Sequence, residues 1–369
     1  MEVASRPYVL DTGSKAKEHC KATSTVSLSN GITLAYQVYE LRPQQQNFQV
    51  GAGVDAATVS GREDKVLMIM GFAACGAAWL PTLRELFSRG EKAAGLEVAI
   101  FDNRGIGRSS CPSGKEHYTT DKMAADGLAL MDHLGWHRAH VVGHSMGAMI
   151  SARLALAEPD RVASLTLIST TGGGTEAIPL NARALWTALK GMSSRAGGAG
   201  AAGGIGAAAA AAAVKRARVD LAFHFSPRLL KTKDPVSGRS VKDLLVEEYV
   251  AASKENGPQP KAGEEGHLNA VMKHGLSASE RRRLAAAGFP IKVLHGSEDI
   301  VAEPRHARRL AGQLRAPLVM MDGAHFITRD CAVQVVDELL DTVEAVRQGA
   351  THVDAVHMLP ERVSCFCCA

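Results

Sequence analysis

Ser145 is the residue whose sequence context best suits a nucleophile. It lies in the segment Gly-His-Ser-Met-Gly at 143–147, directly after a short, mostly apolar run at 139–142. The next run, at 148–157, is rich in Ala, Leu, Met and Ile, most of which favour helix. A G-x-S-x-G segment between a strand and a helix predicts a sharp turn that holds its serine in a strained conformation, with glycines where side chains would collide. The pattern therefore predicts acyl-transfer chemistry at this serine, with the helix N-terminus directed at its oxygen.

A nucleophilic serine needs a base within hydrogen-bond reach, and the base needs a carboxylate that fixes its tautomer. Two loops after predicted strands offer these groups. One contains Asp299, with Glu298 in reserve, and the other contains His325. His133 and His144 have no carboxylate loop in the right place. We therefore predict His325 as the general base and Asp299 as its carboxylate partner.

Acyl transfer also needs two backbone N–H donors for the oxyanion that develops on the substrate. We predict that Met146, the residue after the nucleophile, supplies one N–H group and that Phe72 supplies the other. Phe72 lies in a loop of glycine and alanine after an apolar run at 66–70, so this loop can approach a substrate closely. The sequence contains no P-loop, dinucleotide fingerprint or metal-binding pattern. We therefore predict neither a cofactor nor a metal.

Short apolar runs alternate with helical patterns along most of the chain. An Asn-Gly pair at 30–31 predicts a hairpin between the first two strands. The predicted strands are 23–29, 32–40, 66–70, 96–101, 139–142, 164–169, 291–295 and 318–321. The predicted core helices are 79–89, 120–134, 148–157, 302–314 and 331–346. This alternation predicts an α/β protein with a mostly parallel, doubly wound sheet that helices cover on both faces.

A long segment at 172–289 interrupts the alternation. It lacks buried-strand runs, and it contains predicted helices at 180–191 and 241–253 and an Ala/Gly-rich stretch at 196–213. We predict an inserted helical cap with a loop at 196–213, the alternative being disorder across the whole insert. The domain prediction is a disordered N-terminus at 1–21, a core at 22–171 and 290–348, the cap at 172–289 and a C-terminal tail at 349–369.

The composition excludes several functional classes. Of 369 residues 46% are apolar, as in globular proteins, and a net charge of +4 is too small to indicate a nucleic-acid partner. No apolar window is long enough to span a bilayer, and the N-terminus lacks the apolar region of a secretory signal. Seven irregularly spaced cysteines fit reduced thiols, so we predict a cytoplasmic location. Peripheral membrane contact stays open, as does acylation or metal capture by the cysteines at 365–368.

The motifs together resemble those of the α/β-hydrolase superfamily over residues 27–346. They are Met-Gly-Phe at 70–72, Asp-x-Arg-Gly-x-Gly-x-Ser at 102–109, Gly-His-Ser-Met-Gly at 143–147, Pro-x-Arg-Val at 159–162, His-Gly-x-x-Asp at 295–299 and Gly-Ala-His-Phe at 323–326. The resemblance implies a structural role for the 102–109 turn. Serine at the turn argues against the haloalkane dehalogenase and epoxide hydrolase branches, which carry aspartate there. One departure is Met70, where members usually carry a histidine that supports the oxyanion loop.

The residues and the resemblance predict an esterase-like or lipase-like serine hydrolase that cleaves carboxylic esters through an acyl-enzyme. His325 is expected to take the proton of Ser145, pass it to the leaving alcohol and then activate water. The expected partner is a small-molecule ester with a lipid or other apolar acyl group, because the cap would supply apolar walls.

Two other functions stay open. One is a ligand sensor, since hormone receptors of this fold keep an intact triad and turn over slowly. Burst labelling without steady turnover would favour it. The other is a lipid acyltransferase, because residues 325–330 fit its H-x-x-x-x-D pattern. Product analysis with and without an acceptor alcohol would separate it from a hydrolase.

Overall fold

The centre of the protein is one sheet, which contains eight strands within the described part of the chain. The computed structural model describes residues 18–41, 64–178, 181, 207–257 and 259–352. The strands are β1 (Cys20–Ser27), β2 (Thr33–Glu40), β3 (Asp64–Ile69), β4 (Leu96–Phe101), β5 (Ala139–His144), β6 (Val162–Ile168), β7 (Ile291–Gly296) and β8 (Leu318–Met321). Each predicted strand is present, and the ends differ by a few residues.

The strand order creates a crevice at one edge of the sheet. The order is β1-β2-β4-β3-β5-β6-β7-β8. β2 is antiparallel to both β1 and β4, and the other neighbouring pairs are parallel. After β3 the chain adds β4 on one side and then β5 on the other, so the direction of growth reverses there. Open α/β sheets bind ligands at such a reversal, outside the carboxyl ends of the strands. The loops after β3 and β5 are therefore placed to form a site.

Helices cover both faces of the sheet, as buried parallel strands require. The helices are α1 (Leu80–Phe87), α2 (Thr120–His133), α3 (Met146–Ala157), α4 (Ala207–His224), α5 (Pro227–Lys231), α6 (Val241–Asn256), α7 (Lys261–Lys273), α8 (Ala278–Ala285), α9 (Pro304–Leu314), α10 (Ile327–Asp330) and α11 (Ala332–Arg347). Along β3, Leu67 and Ile69 join the hydrophobic layer under α2, α3 and α9, whereas Val66 and Met68 join the layer under α1 and α11. The predicted doubly wound α/β fold is confirmed.

Helices α4 to α8 lie in the segment 172–289 that interrupts the core. The predicted helix at 241–253 corresponds to α6. The predicted helix at 180–191 lies outside the described residues, apart from Asn181. The described part of the insert is thus largely helical, as the absence of buried-strand runs predicted.

The start of α4 corrects the loop predicted at 196–213. Residues 207–213 are seven consecutive alanines, and they form the first turns of this helix. Alanine has the highest helix propensity of all residues, and farther along α4 Ala217 and Leu221 are buried against the core. The helix therefore extends towards its N-terminus through the alanines, because they favour helix and because the residues that follow them are packed on the core. The remainder of the predicted loop, at 196–206, lies outside the described residues.

The insert packs on the core in two ways. α4 and α6 pack against each other and join the hydrophobic layer of α1 and α11. α7 contacts the turn that precedes α2, and α8 packs against the core helices α3 and α9. The predicted cap boundary at residue 289 therefore includes α8, a helix that is packed on the core.

The C-terminal tail predicted at 349–369 contains a buried residue, His352, near its start. His352 accepts a hydrogen bond at Nδ1 from the N–H of Ile291 (3.3 Å) and donates from Nε2 to the carbonyl of Leu314 (2.9 Å). The start of the predicted tail is therefore attached to the core through His352. Residues 353–369, with their cysteine cluster, lie outside the described residues.

At the N-terminal end, β1 begins at Cys20, so the last two residues of the segment 1–21 predicted as disordered belong to the sheet. Residues 1–17 lie outside the described residues. The described cysteines are all free thiols: Cys20, Cys75, Cys111 and Cys331. Of the described helices, none has the length and apolar character needed to cross a membrane.

Candidate active site

Ser145 occupies a strained turn between β5 and α3. Its φ is 56° and its ψ is −120°, a conformation that residues with a Cβ atom rarely adopt. A Cβ atom added at Gly143 would lie 2.4 Å from the carbonyl oxygen of Gly147, and one added at Gly147 would lie 2.0 Å from that of Ile69. The N–H of Ser145 donates to Ile168 in β6 (2.8 Å). The two glycines therefore permit the turn, and the neighbouring strand holds it.

The structure brings together the three side chains predicted as catalytic. His325 Nε2 lies 3.0 Å from Ser145 Oγ, and His325 Nδ1 lies 2.9 Å from Asp299 Oδ2. A neutral histidine that donates from Nδ1 to a carboxylate keeps Nε2 as an acceptor for the serine hydroxyl. Although α3 begins at the next residue, the hydroxyl of Ser145 makes no helix-capping bond, so it is available to His325.

Asp299 is a buried carboxylate with several donors. Its Oδ1 accepts the N–H groups of Val301 (2.8 Å) and Ala302 (3.0 Å), while Oδ2 faces His325. Burial by itself would raise the pKa of Asp299, but the charge and hydrogen bond of His325 outweigh it and hold this pKa below its usual value. Glu298, the reserve acid, has no hydrogen bond or ion pair with His325 within the described ranges. The structure thus pairs His325 with Asp299.

His144, which sequence reasoning set aside, is bonded to the backbone of His325. It is buried at the end of β5, and its Nε2 donates to the backbone carbonyl of His325 (2.9 Å). Burial and the neighbouring charge of His325 lower the pKa of His144 to about 3, so its ring is neutral at pH 7. The sequence signal that could have identified it is its position directly before Ser145 at the end of a buried strand.

Two loops meet at Ser145: the oxyanion loop, residues 71–75 after β3, and the histidine loop, residues 322–326 after β8. A Cβ atom added at Gly71 would lie 2.9 Å from Ser145 Cβ, so the oxyanion loop runs directly beside the nucleophile. Among the described residues, the N–H groups of Phe72 and Met146 have no hydrogen-bond acceptor. Both predicted donors are therefore available to a substrate oxygen.

The support of the oxyanion loop does not come from the side chain of residue 70. Met70 is buried in the apolar core, and a thioether has no hydrogen to donate. Instead, Asn103 Nδ2 donates to the carbonyl of Met70 (2.8 Å), and Asp102 Oδ1 accepts the N–H of Gly76 (2.8 Å). The turn after β4 therefore holds both ends of this loop.

A buried ion pair holds that turn in place. Arg104 donates from Nε and Nη2 to the two carboxylate oxygens of Asp126, at 2.7 and 2.6 Å. Its Nη1 donates to the carbonyl of His117 (2.7 Å). Ser109 Oγ donates to the carbonyl of Asp102 (2.6 Å), which closes the turn on itself. These contacts fit the structural role that the resemblance implies for residues 102–109.

Two histidines of the insert reach the site, and sequence reasoning missed both. His267 in α7 accepts at Nδ1 from the N–H of Ala73, 194 residues away in sequence. The carbonyl of His224, at the end of α4, accepts the N–H of Phe326 (3.0 Å), and the two rings lie 4.5 Å apart. Neither periodicity nor a motif indicates contacts across such separations.

The described arrangement can perform nucleophilic acyl transfer. A hydroxyl, an imidazole and a carboxylate form a hydrogen-bonded series, and two unpaired amides lie beside the nucleophile. Within the described ranges, no group of three or more His, Cys, Asp or Glu side chains is placed to hold a metal ion.

Comparison with protein families gives the family of the chain. The model of the alpha/beta hydrolase fold matches residues 65–328, well over half of the sequence. The chain belongs to the α/β-hydrolase family. The resemblance read from the motifs is thus confirmed at the level of the family.

Curated relatives match only one part of this α/β-hydrolase. A protein provisionally named carbamate hydrolase RutD, from Caulobacter segnis, is 39% identical over 113 residues, which are 30% of this chain and 39% of that protein. A protein provisionally named non-heme bromoperoxidase BpoC, from Mycobacterium tuberculosis, is 39% identical over 113 residues, which are 31% of this chain and 40% of that protein. The chain therefore spans about two fifths of the length of these curated relatives.

Solved structures resemble the α/β-hydrolase over most of its length. A hydrolase from Pseudomonas aeruginosa PA01 has a TM-score of 0.57 and 24% identity, and the match covers 89% of this chain and 99% of that one. The enol-lactonase from Burkholderia xenovorans LB400 has a TM-score of 0.60 and 20% identity, with 87% and 100% covered. At these identities the similarity shows the fold alone.

Proposed function

We propose that this α/β-hydrolase cleaves carboxylic esters through an acyl-enzyme formed on Ser145. The observation that carries the proposal is the double contact of His325, which lies 3.0 Å from Ser145 Oγ and 2.9 Å from Asp299 Oδ2. Such a series activates a serine hydroxyl that would otherwise be a weak nucleophile. Family membership supports hydrolase activity without identifying the bond that is cleaved.

The proposed reaction has two half-reactions. Ser145 Oγ attacks the ester carbonyl while its proton passes to His325 Nε2, and the carboxylate of Asp299 stabilises the imidazolium. The proton then goes to the leaving alcohol, which departs and leaves an ester bond on the serine. Water enters, His325 removes its proton, and the carboxylic acid is released as Ser145 recovers its own.

The oxyanion of each half-reaction would be bound by the N–H groups of Phe72 and Met146. The amide of Met146 lies at the N-terminus of α3, where the helix dipole favours negative charge. Loss of one such donor typically lowers kcat by about a hundredfold to a thousandfold. Both amides are therefore expected to contribute to rate more than to substrate affinity.

The substrate class is proposed from chemistry and from the relatives. The similar proteins named above include one provisionally named a carbamate hydrolase and an enol-lactonase, and carbamates and lactones, like esters, contain an acyl carbonyl. Phe72, beside Ser145, is 39% exposed, and an accessible aromatic residue favours an apolar acyl group. We infer esters with apolar acyl chains as the first class to test, with lactones and carbamates next. The cytoplasmic location stays a prediction.

The acyltransferase alternative gains no support at the site. Its H-x-x-x-x-D pattern pairs His325 with Asp330, but His325 uses one ring nitrogen on Ser145 and the other on Asp299. No ring nitrogen is left for Asp330. The ligand-sensor alternative is separated from the hydrolase by turnover rather than by geometry.

The test combines active-site labelling with a substrate panel. The wild-type protein should react with a fluorophosphonate probe and hydrolyse p-nitrophenyl esters over a series of acyl chain lengths, alongside a lactone and a carbamate. Ser145→Ala should abolish labelling and lower kcat by about 10⁶-fold, since triad residues act as a unit. Labelling without turnover of any ester would favour the sensor, and hydrolysis retained by Ser145→Ala would reject the nucleophile.

A further inference from the structure

Helix α7 of the insert lies in direct contact with the turn that supports the oxyanion loop. A Cβ atom added at Gly263 would lie 1.9 Å from the carbonyl oxygen of Gly105, and one added at Gly266 would lie 2.3 Å from the ring of Tyr118. Gln259, just before the helix, donates from Nε2 to the same carbonyl of Gly105 (3.1 Å). The helix therefore has no space in which to shift towards the core, and its side chains are held in a defined place.

One of those side chains, His267, connects the turn after β4 to the oxyanion loop. It is fully buried, and its Nε2 lies 2.7 Å from the backbone carbonyl of Arg104. A carbonyl oxygen only accepts, so the ring proton is on Nε2 and the other nitrogen is an acceptor. Burial lowers the pKa of His267 to about 4, which keeps this neutral tautomer at pH 7.

The acceptor nitrogen faces the oxyanion loop. Nδ1 of His267 accepts from the N–H of Ala73 (3.4 Å) and from Gln259 Nε2 (3.2 Å). The ring of Phe72 packs edge-on against the imidazole, with centroids 6.1 Å apart. The histidine thus contacts both the backbone and the side chain of this loop.

Ala73 has a backbone conformation that needs such support. Its φ is 55°, in the left-handed region that residues with a Cβ atom rarely adopt. Strained conformations persist only where the surroundings hold them. The N–H of Ala73 belongs to the peptide group that follows Phe72, so its direction constrains the backbone of Phe72 on which the proposed oxyanion donor lies.

We propose that His267 is a positioning residue for the oxyanion hole: by accepting the N–H of Ala73, it aims the N–H of Phe72 at the substrate oxygen. A side chain of the insert would thereby complete a site whose triad lies wholly in the core. The inference rests on the proposed function, because it assigns a role within the same reaction.

Two substitutions of His267 each remove the hydrogen bonding of one imidazole nitrogen and keep that of the other. The Oδ1 atom of asparagine can take the place of Nδ1, so His267→Asn keeps the acceptor for Ala73 and loses the bond to Arg104. The amide of glutamine can take the place of Nε2–H, so His267→Gln keeps the bond to Arg104 and loses the acceptor. A merely structural role would make both variants less stable and leave kcat per active site alike.

The first readout is kcat on a short ester, counted per fluorophosphonate-titrated site. We expect His267→Gln to lower kcat by about 10- to 100-fold with little change in KM, because a misplaced group can cost about a hundredfold. His267→Asn should remain within about threefold of wild type, since it keeps the bond to Ala73. The matched control is His274→Gln, a buried histidine after α7 that contacts Thr120 and not the oxyanion loop; it should change stability only.

The second readout is hydrogen exchange of the Ala73 amide, which needs no activity. Protection in wild type and His267→Asn, and its loss in His267→Gln, is the expected result. Equal kcat in the Asn and Gln variants, or exchange unaffected in His267→Gln, would overturn the inference. If His267→Gln does not fold, a tenfold loss of kcat in His267→Asn with Ala73 still protected would overturn it, and near-wild-type kcat would support it. A wild type that hydrolyses no ester would reject the proposed function, while exchange would still decide whether His267 holds the loop.

Discussion

The histidine loop and the oxyanion loop lie on opposite sides of Ser145 and are held in different ways. The histidine loop is fixed mainly by the core. A Cβ atom added at Gly296 would lie 2.1 Å from the carbonyl oxygen of Ala324, so β7 and this loop are in direct backbone contact. His144 donates to the carbonyl of His325, whose ring is bonded to Asp299. It also contacts the insert: Phe326 donates its N–H to the carbonyl of His224 and packs against that ring, and Asp322 forms an exposed ion pair with Arg228 of α5.

The oxyanion loop depends on both parts of the molecule. Its flanks are bonded to Asn103 and Asp102 in the core, whereas the N–H of Ala73, in its strained centre, is bonded to His267 in the insert. The difference teaches that the insert bonds to the backbone of the loop that carries a proposed oxyanion donor, whereas the Ser145–His325–Asp299 contacts lie within the core. The two proposed functions, activation of Ser145 and binding of the oxyanion, can therefore be tested separately.

The largest expected effect comes from replacing the carboxylate that is bonded to His325 of the histidine loop. Asp299→Asn should lower kcat by about 10⁴-fold, because an asparagine favours the wrong tautomer of His325 while leaving its geometry intact. Steady-state kinetics with thermal unfolding as a fold check measures this. Glu298→Gln is the control and should stay near wild type; the reverse pattern would show that the acid is Glu298.

An intermediate effect should come from the turn under the oxyanion loop. Asp126→Asn removes the charge partner of buried Arg104 and should lower the free energy of unfolding by about 3–5 kcal/mol. Asp132→Asn on the same helix breaks an exposed pair with Arg161 and should cost at most about 1 kcal/mol. Denaturant titration of both variants compares them, and equal losses would contradict the structural role assigned to the turn.

The smallest expected effect is a loss of stability at acidic pH that comes from His267. His267 has a pKa of about 4 in the folded state against an ordinary 6.5, so below pH 6.5 the unfolded chain binds a proton that the folded chain excludes. Stability is therefore full above pH 6.5 and falls as the pH drops towards 4, by up to about 1.4 kcal/mol per pH unit for this residue.

His144 has a pKa of about 3, so in the folded protein it stays neutral to a lower pH than His267 does. Asparagine does not titrate, so replacing His267 removes its contribution, whereas His144 contributes equally to both proteins. Melting temperatures between pH 7 and pH 5 should fall less steeply in His267→Asn than in wild type. Parallel curves would show that His267 exchanges protons freely in the folded protein and is not the buried acceptor described above.

The amino-acid sequence by itself predicted the sheet and the three residues of the proposed triad. Strands buried on both faces must be continuous apolar runs, so β3 and β4 could be located without any contact information. The turn at Ser145 tolerates only glycine at positions 143 and 147, and loops after parallel strands gather at one edge. Local sterics and topology together therefore narrowed the candidates to Ser145, Asp299 and His325.

Only the tertiary structure decided which parts of the insert touch the site. The amphipathic pattern of a helix predicts that one face is buried but does not identify the element it packs against. The contact between α7 and the oxyanion loop could therefore not be predicted from the sequence. His267 and Ala73 are 194 residues apart, and a lone histidine carries no local signal. The same holds for His352 and for the alanines of α4. Their structure depends on contacts with segments that are distant in sequence. The candidate catalytic residues could be predicted from local sequence patterns. The contacts that support the proposed oxyanion hole depend instead on packing between segments that are far apart in the chain.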